Sequence, residues 1–256
     1  MIIVRALLFM AKYFVAFFIF LFVTTALCTY AFAEGKDRIT CGMATGYPPF
    51  QYLENNQPTG FDYDLLKRVL TDSQQQFELV AAHWDDTVNR LRFNSIDCVT
   101  GMEVTAPRKK YFDFTVPYYF RYTAVFVRDE LPSIEVVQDL YGKKISGDKH
   151  SITETIWQEK HIKDHFRLVQ TQSKEKAMQM LASGKTDAAI MPKAVGLYLA
   201  KKYNVKVKIV HSNYRGTPVA IAVKKGNAKL LDKLNSALKP LIENGEVNTL
   251  LVGYQR

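Results

Sequence analysis

The 256-residue sequence has only three cysteines, and no two of them are spaced C-x-x-C. Neither a dithiol redox pair nor a cysteine-based zinc site is indicated. It has no Gly-x-Ser-x-Gly elbow and no P-loop pattern. No Cys–His pairing of the kind nucleophilic catalysis needs can be argued either. Lys and Arg outnumber Asp and Glu by 34 to 25, yet they never gather into a basic helix or a stripe interleaved with aromatics. Nucleic acid is therefore a poor guess for the partner. The formal charge of +9 leaves room for weak attraction to an anionic membrane surface. Beyond residue 28 there is no second long apolar run, no low-complexity linker and no internal repeat.

What is there begins with an apolar N-terminus. Residues 13–28, "YFVAFFIFLFVTTALC", carry no charge; Arg5 and Lys12 precede them and Ala31-Phe32-Ala33 follows. A basic start, an apolar stretch and an A-x-A end make a secretory signal peptide, residues 1–33, cleaved after Ala33. The alternative is an uncleaved anchor, for which the run is short. Met10 offers a second, tidier start. The exported chain is expected in the periplasm. Losing Arg5 and Lys12 takes its charge from +9 to +7. Cys41 and Cys98 survive cleavage into an oxidising compartment. Two readings stand for them: a disulfide closing a long loop, worth ~4 kcal/mol, or two buried free thiols in apolar strand-like runs.

With 48% apolar residues the chain can build one large domain or two small ones. Its pattern alternates. Strands are expected at 38–44, 77–82, 97–102, 122–128, 143–147, 187–191 and 218–225. Helices are expected at 62–72, 84–94, 151–162, 174–184 and 228–245. Alternation of this kind means an α/β chain with mostly parallel sheets. Strand-like crossings near 123–128 and 213–223 divide it into two lobes without a linker. Asp62 and Asp64 stand at a helix start, where capping is the simpler reading than paired catalytic carboxylates. His161 and His165 are spaced i, i+4, but no third metal ligand is in view.

One stretch, "VTGMEVTAPRKK" (99–110), puts an acid, Glu103, and an arginine, Arg108, where a strand turns into a helix. Thr105 reads as the N-cap. A helix N-terminus offers free backbone N–H groups to an anion, and a guanidinium in its first turn adds a bidentate fork for a carboxylate. A solvated surface arginine is the plain alternative.

The order of five motifs resembles family 3 of the extracellular solute-binding proteins, the polar amino-acid receptors of ABC importers. They are "CGMATGYPPFQY", "GFDYDLLKRV", "GMEVTAPRKKYFDFTVPYY", "GKKISGDKHSITE" and "GKTDAAIM". The resemblance implies a type II, Venus-flytrap periplasmic-binding fold. Lobe 1 would be 34–125 plus 215–256 and lobe 2 would be 126–214, joined by two hinge strands. It implies a ligand carboxylate on Arg108 at the Gly101-Met102-Glu103 turn, and aromatic stacking by Tyr47 and Trp84; core packing is the alternative for both rings. Glu103, where the family commonly has Ser or Thr, either attracts the ligand's ammonium or cationic side chain, or pairs internally with Arg108.

The second lobe departs from the pattern. Its ligand-binding helix start reads His150-Ser151-Ile152, where Ser151 can still donate and Asp148 can supply an acceptor. The family's ammonium-binding aspartate falls at Pro192, and the acid some members carry on the first strand is Ala44. The expected role is delivery of a small carboxylate-bearing solute, an amino acid with a cationic one favoured, to an ABC permease. The protein would act as a monomer, with no cofactor, metal or catalysis. Alternatives are a ligand-sensing partner of a signalling system, or an enzyme similar to cyclohexadienyl dehydratases with Glu103 as its acid.

Overall fold

The computed structural model describes residues 38–73, 76–131, 133–148, 165–210 and 216–255. The signal segment 1–33, the helix expected at 151–162 with Ser151 and His161, and residues 211–215 lie outside them.

In chain order the elements are β1 (Arg38–Ala44), β2 (Gly46–Tyr47), β3 (Gln51–Glu54), β4 (Gln57–Thr59), α1 (Phe61–Asp72), β5 (Gln76–Ala82), α2 (Trp84–Arg92), β6 (Cys98–Glu103) and α3 (Ala106–Lys109). Next come β7 (Phe112–Phe114), β8 (Tyr119–Arg121), β9 (Thr123–Arg128), β10 (Lys144–Asp148), β11 (Arg167–Thr171), α4 (Lys174–Ala182) and β12 (Ala188–Pro192). The chain closes with α5 (Lys193–Lys202), β13 (Val207–Val210), β14 (Thr217–Lys224), α6 (Ala228–Glu243) and α7 (Glu246–Gln255).

The first sheet runs β5-β1-β6-β14-β7, with β8 also paired to β14. The second runs β11-β10-β12-β9-β13, and β2-β3-β4 form a small sheet of their own. Both large sheets are mixed. β1 lies parallel to β6, and β10 parallel to β11 and β12. β9 and β14 run antiparallel to their neighbours. These are the strands that enter the second sheet and return to the first. The chain leaves the first sheet at Arg121 and joins the second at Thr123, so a single residue separates the two.

The helices follow from apolar spacing. In α1, Phe61, Leu65, Leu66, Val69 and Leu70 fall on one face and all are buried. Each such side chain contributes about 1.5–3 kcal/mol by leaving water. In α6 the same logic buries Leu230, Leu234, Leu238 and Leu241, while Pro240 sits inside the helix beyond its third turn. β6 is buried along its whole length. Cys41 and Cys98 are register partners across the β1–β6 pair and form a disulfide, both fully buried. Their placement on adjacent parallel strands explains why each also read as an ordinary core residue.

Candidate functional site

The site is built where β6 ends. Gly101 adopts φ +67, and a Cβ there would run into the Gln51 amide and the Asp62 carboxylate. Only glycine fits, because the backbone itself must approach that polar cluster. Met102 next to it points the other way. It is fully buried against Leu91, Ile96, Val99, Phe112 and Ala222, so its side chain belongs to the core and not to the site. Glu103 then turns back inward, and α3 carries Arg108.

The acid and the arginine meet. Arg108 Nη1 donates to Glu103 Oε2 at 3.1 Å and to the Glu103 carbonyl at 3.0 Å. Of the two readings for Glu103, the internal ion pair is the one formed here. Thr105 occupies the cap position of α3 but makes no side-chain capping bond. With only four residues, α3 adds little dipole, so the guanidinium itself is the anion-attracting element. Arg108 also lies over the Trp84 ring at 5.3 Å. Trp84 opens α2 and is half-buried.

A second arginine holds the other Glu103 oxygen. Arg121, at the end of β8 and 7% exposed, places Nη1 3.4 Å from Oε1. Its Nη2 donates to the Gly101 carbonyl at 3.3 Å and to the Tyr119 hydroxyl, and lies 3.8 Å from Asp62 Oδ2. Its Nε is buried and has no hydrogen-bond partner among the described residues. The Tyr47 ring covers the guanidinium at 4.4 Å. Burial pushes the Glu103 carboxyl up, but Arg121 and Arg108 outweigh it and hold the group below the usual carboxylate range.

Asp62 does not cap α1. Gly60 occupies the cap position, and Asp62 is fully buried in a hydrogen-bond cluster. It accepts from Gln51 Nε2 at 2.7 Å, from the Tyr118 hydroxyl at 2.8 Å and from the Tyr119 hydroxyl at 3.5 Å. Gln51 in turn accepts from the Ala44 amide, and the Tyr118 hydroxyl accepts from the Gly101 amide. The cluster thus pins β1, β3, α1, β6 and β8 around the Gly101 turn. Burial raises the Asp62 carboxyl to about 6, against the opposing pull of Arg121 and the three hydrogen bonds. Asp64 instead accepts a hydrogen bond from Tyr254.

From the second sheet's side, Lys174 at the start of α4 reaches Tyr47, its Nζ 4.7 Å from the ring centroid. Tyr198 of α5 lies 6.0 Å from Tyr52. Pro192 ends β12, buried opposite Thr123, and offers neither charge nor hydrogen-bond donor. Asp148 ends β10 beside Thr171; its side chain, like Ser151, lies outside the described residues. His165 stacks on Tyr141 at 4.6 Å.

The structure therefore brings Tyr47, Trp84, Gly101, Glu103 and Arg108 to one place. It adds Arg121, Asp62 and Lys174, which the sequence reading did not assign to the site. Arg121 left one signal: it is the only charge in the aromatic and apolar run "VPYYFRYTAVFV" (116–127). A charge in such a run needs a buried partner.

The sequence profile of the bacterial extracellular solute-binding proteins, family 3, matches residues 39–255. The chain belongs to this family. Among its relatives is the ABC transporter arginine-binding protein 1 of Escherichia coli (strain K12). It is 30% identical over an alignment 219 residues long that covers 83% of this chain and 88% of that protein. An ancestral arginine-binding protein solved with arginine bound is 32% identical, with a TM-score of 0.77 over 85% of this chain and 98% of that one. An ancestral amino acid-binding protein described as a precursor of cyclohexadienyl dehydratase is 27% identical. Its TM-score is also 0.77, over 89% of this chain and 99% of that one. The fold is accordingly the two-lobed one of this family. Among the described residues no helix is long and apolar enough to cross a membrane.

Proposed function

We propose that this chain is the solute-binding component of an ABC importer. It takes a small carboxylate-bearing solute between its lobes, an amino acid and a cationic one first, and hands it to the importer's permease. The lobes are 34–125 plus 215–256 and 126–214, and the protein works as a monomer in the periplasm after loss of residues 1–33. One observation carries the reading. Arg108, backed by Trp84, already holds a carboxylate at 3.1 Å, that of Glu103. A solute carboxylate would take the same fork, with Tyr47 and Trp84 flanking its stem and the Gly101 turn close by. Asp148 and Ser151 would contribute from the second lobe. The relatives' arginine-binding names support the cationic choice.

The reading includes no turnover. A general acid must carry its proton near the working pH. Glu103, the acid that the dehydratase-like alternative would use, is instead held deprotonated by its two arginines.

The test is isothermal titration of refolded, ligand-stripped protein with arginine. Arg108→Ala should weaken binding by about 30-fold or more, since truncating one partner of a buried charge pair costs ~2–5 kcal/mol. An affinity that survives the substitution would refute the carboxylate clamp.

A further inference from the structure

Lys174 is oddly placed for a lysine. It is the first residue of α4, where the helix dipole disfavours a cation. The next residue, Glu175, is the acid that such a position favours, and it pairs with Lys202 at 2.8 Å. Helix stability does not account for Lys174. Its ammonium crosses instead from the α4 side to the Tyr47 face. It is half-buried there, and its charge is one of those that keep Glu103 ionised.

Glu103 and Lys174 together have a pattern. The protein's own carboxylate rests on Arg108, where a solute carboxylate would go. Its own ammonium rests on the ring of Tyr47, close enough to be felt by that acid. An aromatic face beside a carboxylate is the seat a solute cation would choose. We propose that Lys174 is a built-in competitor for the cationic end of the solute, and so a specificity-determining residue. It occupies the Tyr47 face until a solute cation displaces it. This rests on the cationic amino-acid reading above and adds to it the residue that sets the threshold.

A cation held on an aromatic ring at a partly solvated site is worth a few-fold in affinity. Lys174→Met keeps the stem and removes the charge. Arginine should bind the variant roughly two- to fivefold more tightly than it binds the parent. Citrulline, which has the same shape without the charge, should gain less, so the arginine-to-citrulline preference rises. Lys174→Gln, with a polar end and no charge, should move that preference in the same direction.

Three results would overturn the inference. Weaker arginine binding in both variants would mean that Lys174 holds an anionic part of the solute. Equal gains for arginine and citrulline would mean that the substitution merely loosens a contact between the lobes. Either result leaves the receptor reading standing, because arginine still binds. If arginine binds neither the parent nor the variants, the inference falls together with the cationic amino-acid reading.

Discussion

Replacing Arg121 by methionine should cost the fold about 2 kcal/mol at pH 8, midway in the range that the lost charge and the relieved Nε together allow, and most of that cost should vanish near pH 5. The stem of the side chain is kept, so packing changes little. What is lost is the charge facing Glu103 at 3.4 Å and Asp62 at 3.8 Å, with hydrogen bonds to the Gly101 carbonyl and the Tyr119 hydroxyl. Leaving a buried charge without its partner costs ~3–5 kcal/mol. Relief of the buried Nε, which has no partner among the described residues, returns ~1–3 kcal/mol of that. A total stability of roughly 5–15 kcal/mol survives such a loss, so the variant should fold. Glu103 keeps Arg108, so Asp62 is the carboxylate most exposed by the change. Asp62 takes up its proton at about 6. Below that pH it is neutral and no longer needs Arg121. The assay is urea unfolding of the oxidised protein at pH 8 and pH 5, parent against variant, with the unfolding slope checked for constancy. No measurable loss at pH 8 would refute the argument, since breaking the buried pair should cost more than relief of Nε returns. So would a loss of equal size at both pH values.

Two further expectations concern stability. The Asp62 carboxyl is raised from 3.8 to about 6 on folding. The folded state therefore binds the extra proton, and its contribution, on the order of 3 kcal/mol, is present below pH 4 and lost as pH rises through 6. Asp62→Asn should remove that slope from unfolding measured between pH 4 and pH 6; an unchanged slope would assign it elsewhere. Glu103 runs the other way. Its lowered carboxyl stabilises above the unfolded value of about 4.5, and the effect fades as pH falls through the folded value. The disulfide joins residues 57 apart. Replacing both cysteines by alanine should lower stability by ~4 kcal/mol on the loop-entropy estimate while leaving arginine binding in place. A loss of binding in step with stability would mean that the β1–β6 pair also shapes the site.

The elements with strong periodicity were legible from the chain. α1 shows its buried face in Leu65, Leu66, Val69 and Leu70, and the buried run of β6 reads directly as a strand. The short pieces were not legible. β2, β3 and β4 have two to four residues each and are interrupted by prolines and asparagines, too short for any period to register. α5 begins at Lys193, directly after the strand that Pro192 ends, so no loop separates strand from helix and the start is easily missed. At the candidate site, Arg108, Glu103 and Tyr47 were visible because each sits in a motif of known order, and Trp84 because it opens a helix at a matching position. Asp62 looked like a cap because its sequence position allows one. Its true partners, Gln51 and Tyr118, are 11 and 56 residues away. Only the fold brings them together. Lys174 and Tyr47 meet where the start of α4 approaches β2, and no local pattern carries that.

Glu103 is held from two sides, and the two sides differ. Arg121 is buried, fixed by the Gly101 carbonyl and Tyr119, and covered by Tyr47. Arg108 has 22% of its side chain exposed and stands on a four-residue turn. On the proposed reading, an arriving carboxylate can take Arg108 without exposing a bare charge, because Arg121 keeps its hold on Glu103 Oε1. The exchange leaves every charge paired, which keeps its free-energy cost low. It also leaves Oε2 unclaimed and aimed at whatever cation the solute brings. The site then supplies an acceptor for that cation although Pro192 and Ala44 cannot. Arg121 is in this sense the positioning residue: it makes the Arg108–Glu103 pair divisible, so that an internal ion pair can open into two half-sites of opposite sign.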